Sequence, residues 1–295
     1  MWVINGRRGT RMTAATSARV AHGLGRRSFL GLLMASGALA LVGCSSGTSA
    51  ADVPSDGVDG VEGSRLTFIG DDNFKPYRYV ETADDGSKKT VGLDIAVADE
   101  LASRLGFTYE FRPMSFTGTL PAIQNKQADF SMALASNPER EETFDFTQGY
   151  YQPRVGVLTK EGAELRDVDA LDGCRLSCMT GTVQNQMLTE LCPAAQISTY
   201  DTADQAMQEV VAGRVDAYVC DGAEGDSMAK ANPGLACTLL PDDETSDYVG
   251  VYRIMGWKGA PFIPAFDGAL DDMKADGTLE ELIHAWVGPD FSCGA

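Results

Sequence analysis

Two halves of the chain follow one grammar: a short apolar run, a polar turn, then a helix-period segment stopped by glycine. In the first half, Arg65–Gly70 reads as a buried strand running into Asp71-Asp72-Asn73. A helix capped by Asp94 then places Ile95, Ala98, Leu101 and Leu105 on one face before Gly106 stops it. A strand over 108–112, a helix over 120–125 and a strand over 129–135 follow. The second half gives strand Arg175–Met179, the turn Thr180-Gly181-Thr182, helix Val183–Leu191 and strand Gln196–Tyr200. A helix with Ala203, Ala206, Met207, Val210 and Val211 in one stripe is closed by Gly213, and a strand over 215–220 comes next. After Tyr248 the pattern predicts a strand over 250–257 and two helices ending at Trp286. Strands alternating with single helices imply an α/β fold of two parallel-type units, because a parallel neighbour needs a crossover helix. Ligands in such sheets gather at the carboxyl ends of strands, where Asp71, Ala135, Met179 and Asp221 fall.

The first residues stand outside this grammar. Residues 1–43 hold six Arg and no acid, with Gly25-Arg26-Arg27-Ser28-Phe29-Leu30 leading into an apolar stretch that ends Leu41-Val42-Gly43-Cys44. That order predicts a twin-arginine export signal closing on a lipobox, with cleavage before Cys44 and lipid on its sulfur. The apolar run is shorter than the ~20 residues a bilayer span needs. Residues 44–64, rich in Ser, Gly and Asp, read as a flexible tether with a reach of about 25 Å. The expected location is outside the cytoplasm, on the cell membrane through the lipid.

Without its six leader Arg the chain has 18 basic and 42 acidic residues, a formal charge of 18 − 42 = −24. Such a surface repels phosphate backbones and excludes nucleic acid as a partner. Six cysteines remain beyond Cys44: Cys174, Cys178, Cys192, Cys220, Cys237 and Cys293. An even number in an oxidising compartment predicts one or more disulfides without fixing the pairing, although Cys174 and Cys178 cannot pair if they share a strand. With His284 the only histidine after the leader and no short Cys-x-x-Cys, no metal site and no cofactor are expected.

Three polar residues sit in settings suited to the two ends of a small zwitterion. Arg140, in Ser136-Asn137-Pro138-Glu139-Arg140, can grip a carboxylate through paired, charge-assisted bonds. Thr182, at a helix start, adds amide and hydroxyl donors, with Gly181 permitting close approach. Asp221, at a strand end, attracts an ammonium. Each has a structural alternative: Asn137 and Pro138 make a good helix start whose Arg140 simply pairs with an acid, and Asp221 is equally suited to cap a helix.

In this order the motifs resemble the extracytoplasmic solute-binding proteins of polar amino-acid ABC importers, the bacterial family 3 type, over residues 66–288. The stretch from Arg112-Pro113-Met114-Ser115-Phe116 through Gly118-Thr119-Leu120-Pro121 is similar to glutamine-binding members. Gly92-Leu93-Asp94-Ile95-Ala96, Phe144-Asp145-Phe146-Thr147 and Gly213-Arg214-Val215-Asp216-Ala217 also match. The resemblance implies a type II periplasmic-binding-protein-like fold, α/β, with two lobes of mixed sheet and flanking helices joined by two hinge strands. Lobe 1 is expected over 65–152 and 249–295 and lobe 2 over 153–248, with crossings near 151–154 and 247–251.

It also implies a ligand set. Arg140 and Thr182 with Gly181 take the carboxylate, Asp221 the ammonium, Phe74 and Phe116 the two faces of the ligand side chain, and Asp71 its polar tip. Ala133, Ala135 and Met179 complete the wall. Ala135 stands where the family often has a hydroxyl, and Cys220 and Met179 stand where glutamine binders tend to carry His and Lys. With no Lys or Arg at the matched positions, a neutral polar amino acid such as glutamine, or a basic one, is expected rather than an acidic one. The implied partners are a permease and ATPase encoded elsewhere, and the protein is expected to be a monomer. A dehydratase-like enzyme on the same fold and a ligand-presenting sensor component are the alternatives. No catalytic residues are assigned, because His284 lies in a helix segment away from any Ser or Cys nucleophile motif and no glycine-rich phosphate loop occurs.

Overall fold

A computed structural model describes residues 61–83, 85–163 and 165–288. The export signal, Cys44, most of the tether and Cys293 lie outside the described residues. The chain opens with β1 (Arg65–Gly70), a small sheet of β2 (Asn73–Phe74), β3 (Arg78–Thr82) and β4 (Lys88–Val91), then α1 (Leu93–Leu105) and β5 (Thr108–Pro113). Next come α2 (Phe116–Gln124), β6 (Phe130–Leu134), α3 (Pro138–Thr143) and β7 (Phe144–Tyr151). The middle of the chain forms β8 (Val155–Lys160), β9 (Arg175–Met179), α4 (Val183–Leu191), β10 (Gln196–Tyr200), α5 (Ala203–Val211) and β11 (Ala217–Asp221). It continues through α6 (Gly222–Ala231), β12 (Leu235–Leu239) and α7 (Asp242–Thr245), and β13 (Tyr252–Trp257), α8 (Ile263–Ala275) and α9 (Thr278–Trp286) close the fold.

These strands make two five-stranded sheets, ordered β5-β1-β6-β13-β7 and β10-β9-β11-β8-β12. Each is mixed. β1 runs parallel to β5 and β6, whereas β13 is antiparallel to β6 and β7. β9 runs parallel to β10 and β11, whereas β8 is antiparallel to β11 and β12. The chain leaves the first sheet after Tyr151, builds the whole second sheet and returns at Tyr252, so the fold has two lobes.

The first core stacks Phe68 on Phe130 at 4.9 Å, with Leu101 from α1 and Phe266 and Leu270 from α8 around them. Full burial of side chains of this size contributes roughly 1.5–3 kcal/mol each. The second lobe packs Val157, Leu176 and Val219 against Met187 and Leu188 of α4. The stripe read from α5 splits: Ala203, Ala206, Met207 and Val210 are buried, and Val211 is exposed.

Several expectations change. Asp94 is not the cap of α1; Gly92 precedes the helix, and the first amides are taken by backbone carbonyls, Leu93 N to Pro76 O at 3.1 Å and Asp94 N to Tyr77 O at 3.0 Å. That frees the Asp94 carboxylate for a buried ion pair with Arg78. Gly92 has φ 126°, and a Cβ there would lie 2.3 Å from the Tyr77 carbonyl, so only glycine fits. Helix α2 starts at Phe116 rather than Leu120, because Ser115 caps it by accepting from Gly118 N. Cys174, Cys178, Cys192, Cys220 and Cys237 are all free thiols, so the expected disulfide is not formed among the described residues. No helix among these residues is long and apolar enough to cross a membrane.

Candidate functional site

The strand ends named from the sequence converge on one cavity of about 90 Å³, well above what one water requires. Nine of the ten expected residues line it: Asp71, Phe74, Phe116, Ala133, Ala135, Arg140, Met179, Thr182 and Asp221. Gly181 sits beside the wall and contributes its carbonyl.

Arg140 reaches the cavity because Asn137 caps α3, accepting from Arg140 N at 2.8 Å, and Pro138 fixes the first turn. The helix start of the structural alternative is therefore present, but its acid partner for Arg140 is not found among the described residues. The guanidinium donates to Ala135 O at 2.8 Å within its own lobe and to Gly181 O at 3.2 Å in the other. Both partners are neutral carbonyls, so no carboxylate neutralises the cation, and burial lowers its pKa despite the opposing pull of Glu139. Thr182 caps α4: its hydroxyl donates to Met179 O at 2.9 Å and accepts from Asn185 N at 3.3 Å. Gly181 before it has φ 74°, a turn glycine takes without strain.

Asp221 is 3 % exposed and does two things at once. It caps α6 through the amides of Ala223 and Glu224 at 2.9 and 3.0 Å. It also accepts from the hydroxyls of Tyr77 and Tyr252, each at 3.0 Å, both of which come from the first lobe or its returning strand. Burial raises its pKa to about 6, against the stabilising pull of those amide and tyrosine donors. Asn73 adds another bond across the cleft, donating to Asp204 at 2.7 Å.

The floor belongs to the first lobe. Arg78 also lines the cavity, at a position outside those matched from the sequence. Its charge is already matched: it pairs with Asp94 and donates to Met132 O at 3.1 Å and Asp71 O at 3.2 Å. Tyr150 donates to Asp94 at 2.6 Å and accepts from Ala133 N at 2.9 Å. Ala133 has φ 57°, an unusual left-handed conformation for a non-glycine residue, held by that bond at the cavity wall. Phe74 packs against Tyr77 at 4.7 Å and under the Arg78 guanidinium at 5.6 Å, while Phe116 packs on the core below α2.

Arg78, Tyr252 and Glu224 escape sequence reasoning. Arg78 and Tyr252 are brought in by strands with no distinguishing pattern. Glu224 stands three residues after Asp221, a spacing that reads as ordinary helix capping. Among the described residues no group of three or more His, Cys, Asp or Glu can hold a metal.

A family model described as bacterial extracellular solute-binding proteins, family 3, matches residues 66–289. The arginine-binding extracellular protein ArtP of Bacillus subtilis is 25% identical over 217 residues, 72% of this chain and 82% of the relative. The L-cystine-binding protein TcyJ of Escherichia coli is 28% identical over 278 residues, 93% of this chain and 99% of the relative. A solved structure of an ancestral arginine-binding protein bound to glutamine superposes with a TM-score of 0.68 at 28% identity, covering 76% of this chain and 98% of its own.

Proposed function

Because the chain belongs to family 3 of the bacterial extracellular solute-binding proteins, we propose that it captures a free polar amino acid, neutral or basic, and delivers it to an ABC permease. It is a binding protein rather than an enzyme, as its relatives are named. One observation supports the reading most: Arg140 spans from Ala135 to Gly181 across the cleft, its charge matched by neither, beside the Thr182 helix start. An α-carboxylate replacing those two carbonyls gains charge-assisted, paired bonds from the guanidinium and the start of α4. The α-ammonium goes to Asp221, displacing the Tyr77 and Tyr252 hydroxyls while the helix-cap bonds stay. Phe74 and Phe116 flank the side chain and Asp71 meets its tip.

The lobes are taken as 65–152 with 249–295, and 153–248, hinged near 151–154 and 247–251. Ligand draws them together, and the closed monomer docks on the permease. Export through the twin-arginine signal and lipidation at Cys44 hold it on the outer face of the membrane, the tether giving it reach. Replacing Cys44 by Ala should release the protein into the medium, and retention on the membrane would refute the lipid anchor.

The decisive experiment is a thermal-shift screen of the folded domain against the twenty amino acids and cystine. A ligand at a hundred times its Kd adds about 2.7 kcal/mol of stability. If none shifts the melting temperature, the assignment fails.

A further inference from the structure

Glu224 lies in the first turn of α6, is 4 % exposed and borders the cavity. Its Oε2 accepts from the Tyr218 hydroxyl at 3.2 Å, while Oε1 is buried with no hydrogen-bond partner. In a capping box the acid at this position turns back to the amide of the cap residue. Here Asp221 is the last residue of β11, in register with Val155 of β8, and Glu224 faces the cavity instead. A buried carboxyl oxygen left without a donor is costly, so a native site that keeps one calls for an explanation.

The groups around it limit what can supply that donor. Asp221 faces Glu224 from the start of its own helix, Asp71 from the turn after β1 and Asp204 from α5. Tyr218 and Cys220 of β11, Cys237 of β12 and Tyr252 of β13 complete its neighbourhood. Every charged neighbour in that set is acidic. The two guanidiniums of the cavity are engaged elsewhere, Arg78 with Asp94 and two carbonyls, Arg140 with Ala135 and Gly181.

We propose that Glu224 receives the end of the ligand side chain and selects an amino acid that carries a cationic N–H donor there, a guanidinium or an ammonium. The proposal rests on the reading of the cavity as an amino-acid site and narrows it. Phe74 and Phe116 flank the aliphatic stem, and Glu224 with Asp71 takes the charged tip. A consequence concerns protons. Burial first, and then the charge of Asp221, raise the pKa of the Glu224 carboxyl. A docked cation favours the carboxylate, and the proton leaves to the buffer. Affinity for a cationic amino acid therefore rises as pH increases toward the raised pKa of Glu224, and affinity for a neutral one does not.

Titration calorimetry of the wild type and Glu224→Gln with arginine, lysine and glutamine tests this. Glu224→Gln should weaken arginine or lysine by about 10- to 100-fold and leave glutamine unchanged or tighter. Wild-type binding of the cationic ligand should release a proton, read as an enthalpy that depends on the ionisation heat of the buffer. This measurement needs no variant, so it decides even if Glu224→Gln does not fold. Equal losses for all three ligands, or arginine affinity untouched by Glu224→Gln, would overturn the proposal. So would a wild type that binds glutamine but no cationic amino acid, which leaves the broader assignment standing. A wild type that binds no free amino acid overturns both.

Discussion

The hydroxyl of Tyr77 in the first lobe donates to the carboxylate of Asp221 in the second, 3.0 Å from each oxygen. With Tyr252 on the same carboxylate and Asn73 on Asp204, it bridges the two lobes at the place proposed for the ligand's ammonium. A hydrogen bond to a charged group contributes about 1.5–3 kcal/mol, a sizeable bias for a two-state hinge. Tyr77→Phe should therefore move the ligand-free protein toward an open form, seen as a larger radius of gyration in solution scattering. An unchanged radius would mean that the hinge is held by other contacts.

Asp221 also sets a pH dependence. Its folded pKa, about 6, lies above the unfolded value near 3.8, so its contribution to stability is complete below about pH 3.8 and lost as pH rises through 6. The difference is worth about 3 kcal/mol. Asp221→Asn keeps a competent helix cap but cannot titrate. Relative to that variant, the wild type should lose about 3 kcal/mol between pH 4 and pH 7 in urea unfolding, and parallel pH profiles would contradict the assignment.

Arg140→Ala should weaken ligand binding by several kcal/mol, because it leaves the ligand carboxylate desolvated without a partner. Arg140→Lys keeps the charge but loses the paired donors, and should recover only part of that affinity. Calorimetry with the ligand found in the thermal screen checks both, and full affinity in Arg140→Ala removes this residue from the site.

Arg78 and Asp94 form a buried pair at the floor of the cavity. Asp94→Ala leaves a guanidinium buried at the cavity floor and should cost about 3–5 kcal/mol of stability. The unpaired Arg78 should then favour acidic amino acids over the ligand of the wild type. Urea unfolding and a ligand screen of the variant read the two effects separately. Wild-type stability in Asp94→Ala would show that the pair does not hold the floor.

Gly92→Ala tests the backbone behind this floor. The new Cβ meets the carbonyls of Pro76 and Tyr77 in a left-handed conformation, which should cost on the order of 2–4 kcal/mol and displace Tyr77. A lower urea midpoint together with a more open ligand-free form is the expected result.

Features that depend on neighbours along the chain were legible in the order of residues alone. Strands Arg65–Gly70, Arg175–Met179 and Gln196–Tyr200 and helix Val183–Leu191 have the bounds their apolar runs predict, because length, periodicity and flanking turn residues act locally. Strand ends were readable for the same reason, and they brought Asp71, Ala135, Met179 and Asp221 to a common cavity. Which donors and acceptors meet there follows from the packing of segments distant in the chain. Asp94 reads as a helix cap until the carbonyls of Pro76 and Tyr77 take its place and Arg78 takes its charge. Glu224 carries no signal along the chain, and only the fold sets it at the cavity wall. Tyr77 and Tyr252 reach Asp221 from 144 and 31 residues away, and no local pattern encodes a bond whose partners are brought together only when two sheets close on each other.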